Sequence, residues 1–301
     1  MPKMHADEID ITLAIVQQLI KTQYPQWGTL PLTPVTSAGT DHALYRLGTD
    51  KVIRLPRLPQ TQAQVTKEQR WLPQLAPHVP LKIPKPIEQG TPDTNYPFHW
   101  SIYNWLMGTP ATRDQLKNPD DAARTLAQFI LALQQVDTTN APTPAAHNFF
   151  RGVPLAQRDQ QTRAAIASLD GMIDTHLALK AWENACNAPI WEKAPVWIHG
   201  DLQSGNILAH EGNINAVIDF GAMAIGDPAC DLQIAWNLFT PDMRNTFYEA
   251  IQVDAATWQR GRGWALSVAL IALPYYQHTN PTLANISRYA IQQVLADTSS
   301  T

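Results

Sequence analysis

HGDLQSGNIL, residues 199–208, decides the reading of this chain. Asp201 and Asn206 stand in a segment whose Gly200, Ser204 and Gly205 favour turns, directly ahead of the apolar pair Ile207 and Leu208. Thirteen positions past Asn206 comes IDFG, Ile218 to Gly221. Short apolar runs at 196–199, 207–208 and 216–218 read as strands. The spacing therefore predicts a strand, a loop holding Asp201 and Asn206, and a hairpin that returns Asp219. Such a path brings three side-chain oxygens to one point.

Three oxygens so placed match the needs of phosphoryl transfer. One carboxylate orients the attacking hydroxyl and takes its proton; a second carboxylate and an amide oxygen hold Mg²⁺ against nucleotide phosphates. A hard cation takes oxygen ligands, which Asn and Asp supply. The set His199-x-Asp201-x4-Asn206 followed by Asp219-Phe220-Gly221 matches the catalytic-loop and metal-loop signature of kinases.

Upstream, KVIR (51–54) puts Arg54 where kinases carry a phosphate-binding Lys. Glu68 is the only acid between 51 and 87, so Arg54 and Glu68 are the expected ion pair. An Arg there is a planar fork, able to grip phosphate oxygens in pairs. The stretch Ser37-Ala38-Gly39-Thr40-Asp41 carries no GxGxxG; Ser37 and Gly39 are candidates to close over phosphates through hydroxyl and backbone N–H groups. Adenine is expected at the seam, on the backbone of Tyr103, Asn104, Trp105 and Leu106.

Around this core the periodicity predicts a helix over 8–21, strands over 30–35, 43–47 and 51–55, a helix over 62–76, and extended runs at 84–90 and 97–106. Asn118-Pro119-Asp120-Asp121 is a helix start, expected to run to 136. Further helices are expected at 154–169, 174–187, 228–239, 241–252, 255–273 and 281–296. The predicted class is α+β: a small strand-rich lobe over 1–104 and a larger helical lobe over 105–301, with the seam near 104–108.

Composition narrows the rest. The chain has 301 residues, 45% hydrophobic and 16% charged, with net charge −4. That balance gives no reason to expect nucleic acid. Residues 1–104 hold 10 of the 22 basic and 8 of the 26 acidic residues, so a net-positive first part precedes an acidic second. Cys186 and Cys230, the two cysteines, form no zinc spacing and suit a reducing compartment. The longest apolar stretch, 264–276, is broken by Ser267 and Pro274 and too short to span a bilayer. The opening MPKMHADEID has no apolar centre of the kind an export signal needs. A cytoplasmic protein without membrane contact, monomeric or homodimeric, is the expectation.

HGDLQSGNIL…AVIDFGAMAIGDPACDL resembles the aminoglycoside phosphotransferase family, which includes macrolide kinases; LYRLGTDKVIRLPR (44–57) and KEQRWLPQLA (67–76) extend the resemblance over most of the chain. It implies a protein-kinase-like fold and the use of ATP or GTP with Mg²⁺ to phosphorylate a small-molecule hydroxyl. By matching motif it implies Asp201 as base, Asn206 and Asp219 as metal ligands, and Arg54 with Glu68 as the phosphate-binding pair. It also implies that Asp231 braces the catalytic loop by accepting backbone N–H bonds. His199 is read as structural.

Two features separate the chain from protein kinases. Gly200 stands where they carry an Arg, and four residues separate Gly221 from Gly226, too few for a peptide-binding activation segment. The acceptor classes left open are an aminoglycoside-like or other antibiotic, an amino alcohol and a sugar. Helix 256–276, with Trp258, Trp264, Tyr275 and Tyr276, is a candidate lining for an apolar acceptor, or a core helix with aromatic ends. Arg54 in place of Lys keeps a second reading in play: a non-catalytic nucleotide-binding pseudokinase acting through a partner.

Overall fold

The computed structural model describes residues 8–299. Most of the opening stretch read against an export signal lies outside them. The first half is built on α1 (Leu13–Gln23), β1 (Leu32–Pro34), β2 (His42–Leu47), β3 (Lys51–Pro56), α2 (Gln62–Leu75), β4 (Pro86–Gly90) and β5 (Trp100–Asn104). The strands form one antiparallel sheet in the order β1-β2-β3-β5-β4. Gly48, at φ 62°, makes the β2–β3 turn that an L side chain would strain.

Alternation along β3 decides where its residues go. Ile53 and Leu55 are fully buried in a core with Val16, Leu19 and Ile20 of α1 and Trp100 of β5. Arg54 points to the other face, where α2 lies. Glu68 on α2 is buried within reach of it.

Beyond β5 come β6 (Thr109–Pro110), α3 (Pro119–Gln134), α4 (Asp159–Ser168), α5 (Thr175–Cys186), β7 (Val196–Ile198), β8 (Ile207–His210), β9 (Asn213–Val217), β10 (Ala224–Gly226), α6 (Ile234–Asn237), α7 (Pro241–Ile251), α8 (Ala255–Tyr276) and α9 (Pro281–Ser299). Asn118 caps α3, its side chain accepting from Asp121 N. The short strands pair as β10–β7 and β6–β8–β9, both antiparallel. A second core runs from Leu72 and Leu75 of α2 through Trp197, Phe220 and Trp264.

Several expected helices are shorter or tighter than their periodicity indicates: α1 begins at Leu13 rather than at 8, and Leu155–Arg158 ahead of α4 forms 3₁₀ turns. Residues Pro228–Gln233 form 3₁₀ turns and only Ile234–Asn237 is α-helical. The cause is the inward pull of Asp227 and Asp231, whose carboxylates take backbone N–H groups there and on the loop ahead. Helix α3 stops at Gln134, two residues early, where Gln135 closes onto Ala132 and Leu133. Trp264 is fully buried core, while Tyr275 is exposed. No helix among the described residues is long and apolar enough to cross a membrane.

Candidate active site

The loop after β7 is held by backbone bonds that the sequence prepares. Gly200 takes φ 83°, and a Cβ there would lie 2.4 Å from Ala222 O, so glycine alone fits. Asp231 is buried and accepts from His199 N (2.7 Å) and Gly200 N (2.8 Å). Burial pushes its carboxyl up, against the pull of His199 and the two amides. Asn237 Nδ2 donates to Leu202 O (2.9 Å). His199 joins the two halves of the site: Nε2 donates to Ile218 O (3.0 Å), which leaves Nδ1 to accept from Asp201 N (3.2 Å).

Asp201 and Asn206 are in direct contact. Asn206 Nδ2 donates to Asp201 O (2.9 Å) and to Asp201 Oδ2 (3.1 Å), and Gln203 Nε2 donates to the same Oδ2 (3.1 Å). The Asn206 side chain is buried, and its nitrogen is taken up by these two bonds. The other carboxylate oxygen, Asp201 Oδ1, faces Arg151 Nη2 at 3.6 Å.

Asp219 sits in the left-handed region at φ 64°, and its side chain is 42% exposed. A non-glycine residue held there signals a constraint imposed by its surroundings. Arg54 bridges the sheet to it: Nη2 donates to Asp219 Oδ1 and Nη1 to Glu68 Oε1 (2.5 Å). Tyr103 Oη donates to Glu68 Oε2 (2.5 Å). Burial pushes the Asp219 carboxyl up, but the Arg54 guanidinium, helped by His42 and His199, outweighs it and holds the group below its ordinary value. Burial works against the Arg54 charge in turn, and Asp219 and Glu68 more than restore it.

The remaining expected residues are distributed differently. Tyr103 is buried and works from behind, as the hydroxyl that fixes Glu68. Trp105 N is already bonded to Asp50 O (2.7 Å), and its ring lies under the Arg46 guanidinium at 4.7 Å. That N–H is therefore not free to meet an adenine. Ser37 Oγ accepts from Gly39 N (3.0 Å), and Ala38 O accepts from Asn280 Nδ2 (2.8 Å). Among the described residues no hydrogen bond joins this loop to Arg54 or Asp219.

Three residues in contact with this cluster carry no signal at sequence level. Lys67 of α2 bonds to backbone carbonyls, which no pattern of side chains reveals. Arg151 reaches Asp201 across fifty positions of chain, from a loop. His42, buried beside Arg54 and Asp219, is an alternating strand residue by pattern.

No group of three or more His, Cys, Asp or Glu side chains among the described residues forms a metal cage. A single carboxylate, Asp219, with one amide oxygen, Asn206, suits Mg²⁺, which keeps waters and takes substrate phosphates rather than filling its sphere from protein.

Known proteins can now be set beside this geometry. In the solved structure of the GDP complex of wild-type aminoglycoside 2'-phosphotransferase-IIIa, a chain 17% identical superposes with TM-score 0.75, covering 95% of this chain and 99% of that one. A GDP and kanamycin complex of a related aminoglycoside phosphotransferase gives TM-score 0.73 at 18% identity, over 94% and 98%. Macrolide 2'-phosphotransferase MphH from Brachybacterium faecium gives 0.59 at 23% identity, over 94% and 98%. These likenesses show the fold. No curated protein matches the chain. The family described as the phosphotransferase enzyme family matches over residues 33–264, from β1 through the loops that carry Asp201 and Asp219 into α8. The chain belongs to that family and is a phosphotransferase.

Proposed function

We propose that the protein transfers the γ-phosphoryl group of ATP or GTP to a hydroxyl of a small molecule in the cytoplasm. In this reading residues 1–104 form the nucleotide lobe and 105–301 the catalytic and substrate lobe. The observation that carries it is the Asn206 amide, whose nitrogen donates to both the backbone and the carboxylate of Asp201; in this reading its oxygen serves a cation. One side chain thus links the base to the metal position.

Asp201 Oδ1 receives the acceptor hydroxyl and its proton, and Asn206 with Asp219 would hold Mg²⁺. The metal, when bound, neutralises charge on the phosphate oxygens. Arg54, kept in place by Glu68 and Tyr103, grips the α/β phosphates. The solved relatives bind GDP, kanamycin, gentamicin or streptomycin with ATP by their descriptions, which supports nucleotide and small-molecule hydroxyl substrates here. The test is a transfer screen with γ-labelled ATP and GTP against aminoglycosides, macrolides, amino alcohols and sugars. Labelled product with at least one acceptor is the expected result; nucleotide turnover absent with all of them contradicts it.

One contact favours the second reading, a nucleotide-binding module without catalysis. Arg54 already takes one oxygen of the Asp219 carboxylate, which leaves a cation the other alone. Thermal stabilisation by nucleotide with Mg²⁺ and no labelled product from any acceptor would be its signature.

A further inference from the structure

An acceptor hydroxyl has to arrive at the Oδ1 edge of Asp201, because Oδ2 already accepts from Gln203 and Asn206 (both 3.1 Å). At that edge stands a cation, Arg151 Nη2, 3.6 Å from Oδ1. Asn206 holds the opposite edge. The metal and nucleotide therefore belong to the Oδ2 side, and the guanidinium to the acceptor side.

Arg151 is built into this place. Its side chain is 12% exposed, and its Nε and Nη1 are buried without a hydrogen-bond partner. Its backbone N–H donates to Asn148 O (3.1 Å), and its carbonyl accepts from Asn148 Nδ2 (3.0 Å). The two residues ahead of it, Phe149 and Phe150, take φ 56° and 54°. Bulky side chains rarely adopt such values, which persist only where the surroundings impose them and which gather at ligand clamps. Arg158 pins the turn: Nη1 donates to Phe149 O (3.3 Å) and Nε to Ser267 Oγ (3.0 Å).

We propose that Arg151 selects the acceptor by charge, and that the preferred acceptor is a hydroxy acid, with a carboxylate a few bonds from the hydroxyl that is phosphorylated. This deepens the kinase reading and rests on it. A substituent beside a hydroxyl at Oδ1 lies near the guanidinium, in a half-buried site where charge interactions are stronger than in water. A carboxylate can meet Nη2, the guanidinium nitrogen that faces Asp201, while the buried Nε and Nη1 hold the plane in place. An ammonium meets a like charge, which works as discrimination against it. The order of preference is therefore anionic, then neutral, then cationic, and a polycation such as kanamycin is a poor acceptor.

Gluconate, sorbitol and glucamine test this, since they share a polyol chain and differ in the charge at one end. The expected kcat/KM is highest for gluconate and lowest for glucamine. Because Arg151 also faces Asp201, Arg151→Gln lowers turnover with both acceptors, and charge selection is read in the ratio of the two: KM for gluconate relative to KM for sorbitol rises about 10- to 100-fold, the size of one charged hydrogen bond. Arg151→Lys restores part of the loss. Glucamine or kanamycin preferred over gluconate, or equal losses for gluconate and sorbitol in Arg151→Gln, overturns the proposal.

A binding arm needs no turnover. Saturation-transfer NMR should detect gluconate on the wild-type chain and not on Arg151→Gln, with melting curves checking that the variant is folded. Gluconate bound equally by both, or by neither, overturns charge selection. Gluconate bound only by the wild type, with no acceptor phosphorylated, leaves charge selection standing and removes the kinase reading.

Discussion

Lys67 Nζ stands 2.6 Å from the carbonyl oxygen of Gly221, so the helix that carries Glu68 also holds the loop that carries Asp219. The same ammonium reaches Met223 O (3.2 Å) and His147 Nδ1 (3.2 Å), so three donors meet three acceptors. His147 Nε2 on Thr143 O (3.0 Å) sets the tautomer that leaves Nδ1 free to accept. Burial pulls the ammonium down to about 8, against Glu68 and Asp219.

Replacing Lys67 by Met leaves two buried carbonyls without this donor, at about 1–3 kcal/mol each. The melting temperature should fall. The transfer rate measured in a single turnover should fall at least about tenfold beyond what unfolding explains, because a small misplacement of a reacting group is costly. Lys67→Arg should rescue stability more than rate. An unchanged single-turnover rate in Lys67→Met would show that the clamp does not position Asp219.

Asp231→Asn should destabilise the fold by about 1–3 kcal/mol, read as a shifted urea midpoint. The substitution turns one accepting oxygen into a donor facing the N–H of His199 or Gly200. A midpoint equal to wild type would mean that water or another group satisfies those amides.

Gly200→Ala should cost about 1–3 kcal/mol from the left-handed backbone alone. The added Cβ, 2.4 Å from Ala222 O, forces the loop to shift as well. Transfer should therefore fall more steeply than folded fraction. A variant with wild-type melting and wild-type rate would contradict the geometry of this turn.

The paths of the loops that carry Asp201, Asn206 and Asp219 were legible because their geometry is local. Glycines and short strands fix the path between Asp201, Asn206 and Asp219, and each strand expected there is present. Arg54 and Glu68 were legible as a pair because strand alternation puts Arg54 on the α2 face and the segment offers no other acid. Lys67 and Arg151 were not, since their partners are backbone carbonyls and a residue fifty positions away. The tight turns at Pro228–Gln233 were read as helix because apolar spacing looks alike in both; the inward capping by Asp227 and Asp231 that tightens them is a tertiary effect.

Stability should fall as pH drops below about 6.5, the ordinary range of a free His. His42 is buried, and burial together with Arg54 holds its ring well below that value, against the pull of Asp219. The unfolded chain then binds a proton that the folded chain refuses. Unfolding free energy consequently rises with pH through this window, by up to about 1.4 kcal/mol per pH unit for one proton. His42→Gln should flatten the difference between urea curves at pH 5.5 and 7.5. Curves that diverge as much in the variant as in the wild type would remove His42 as the cause.

The most direct measurement is the phosphoryl-transfer rate of Asp201→Ala, with nucleotide affinity determined on the same preparation. Loss of a general base typically costs about 10²–10⁴ in rate. The account predicts a fall of that size with nucleotide binding retained, since Arg54, Glu68 and Asp219 are untouched. Turnover equal to wild type would contradict it, because the carboxylate beside Asn206 would then have no part in the chemistry.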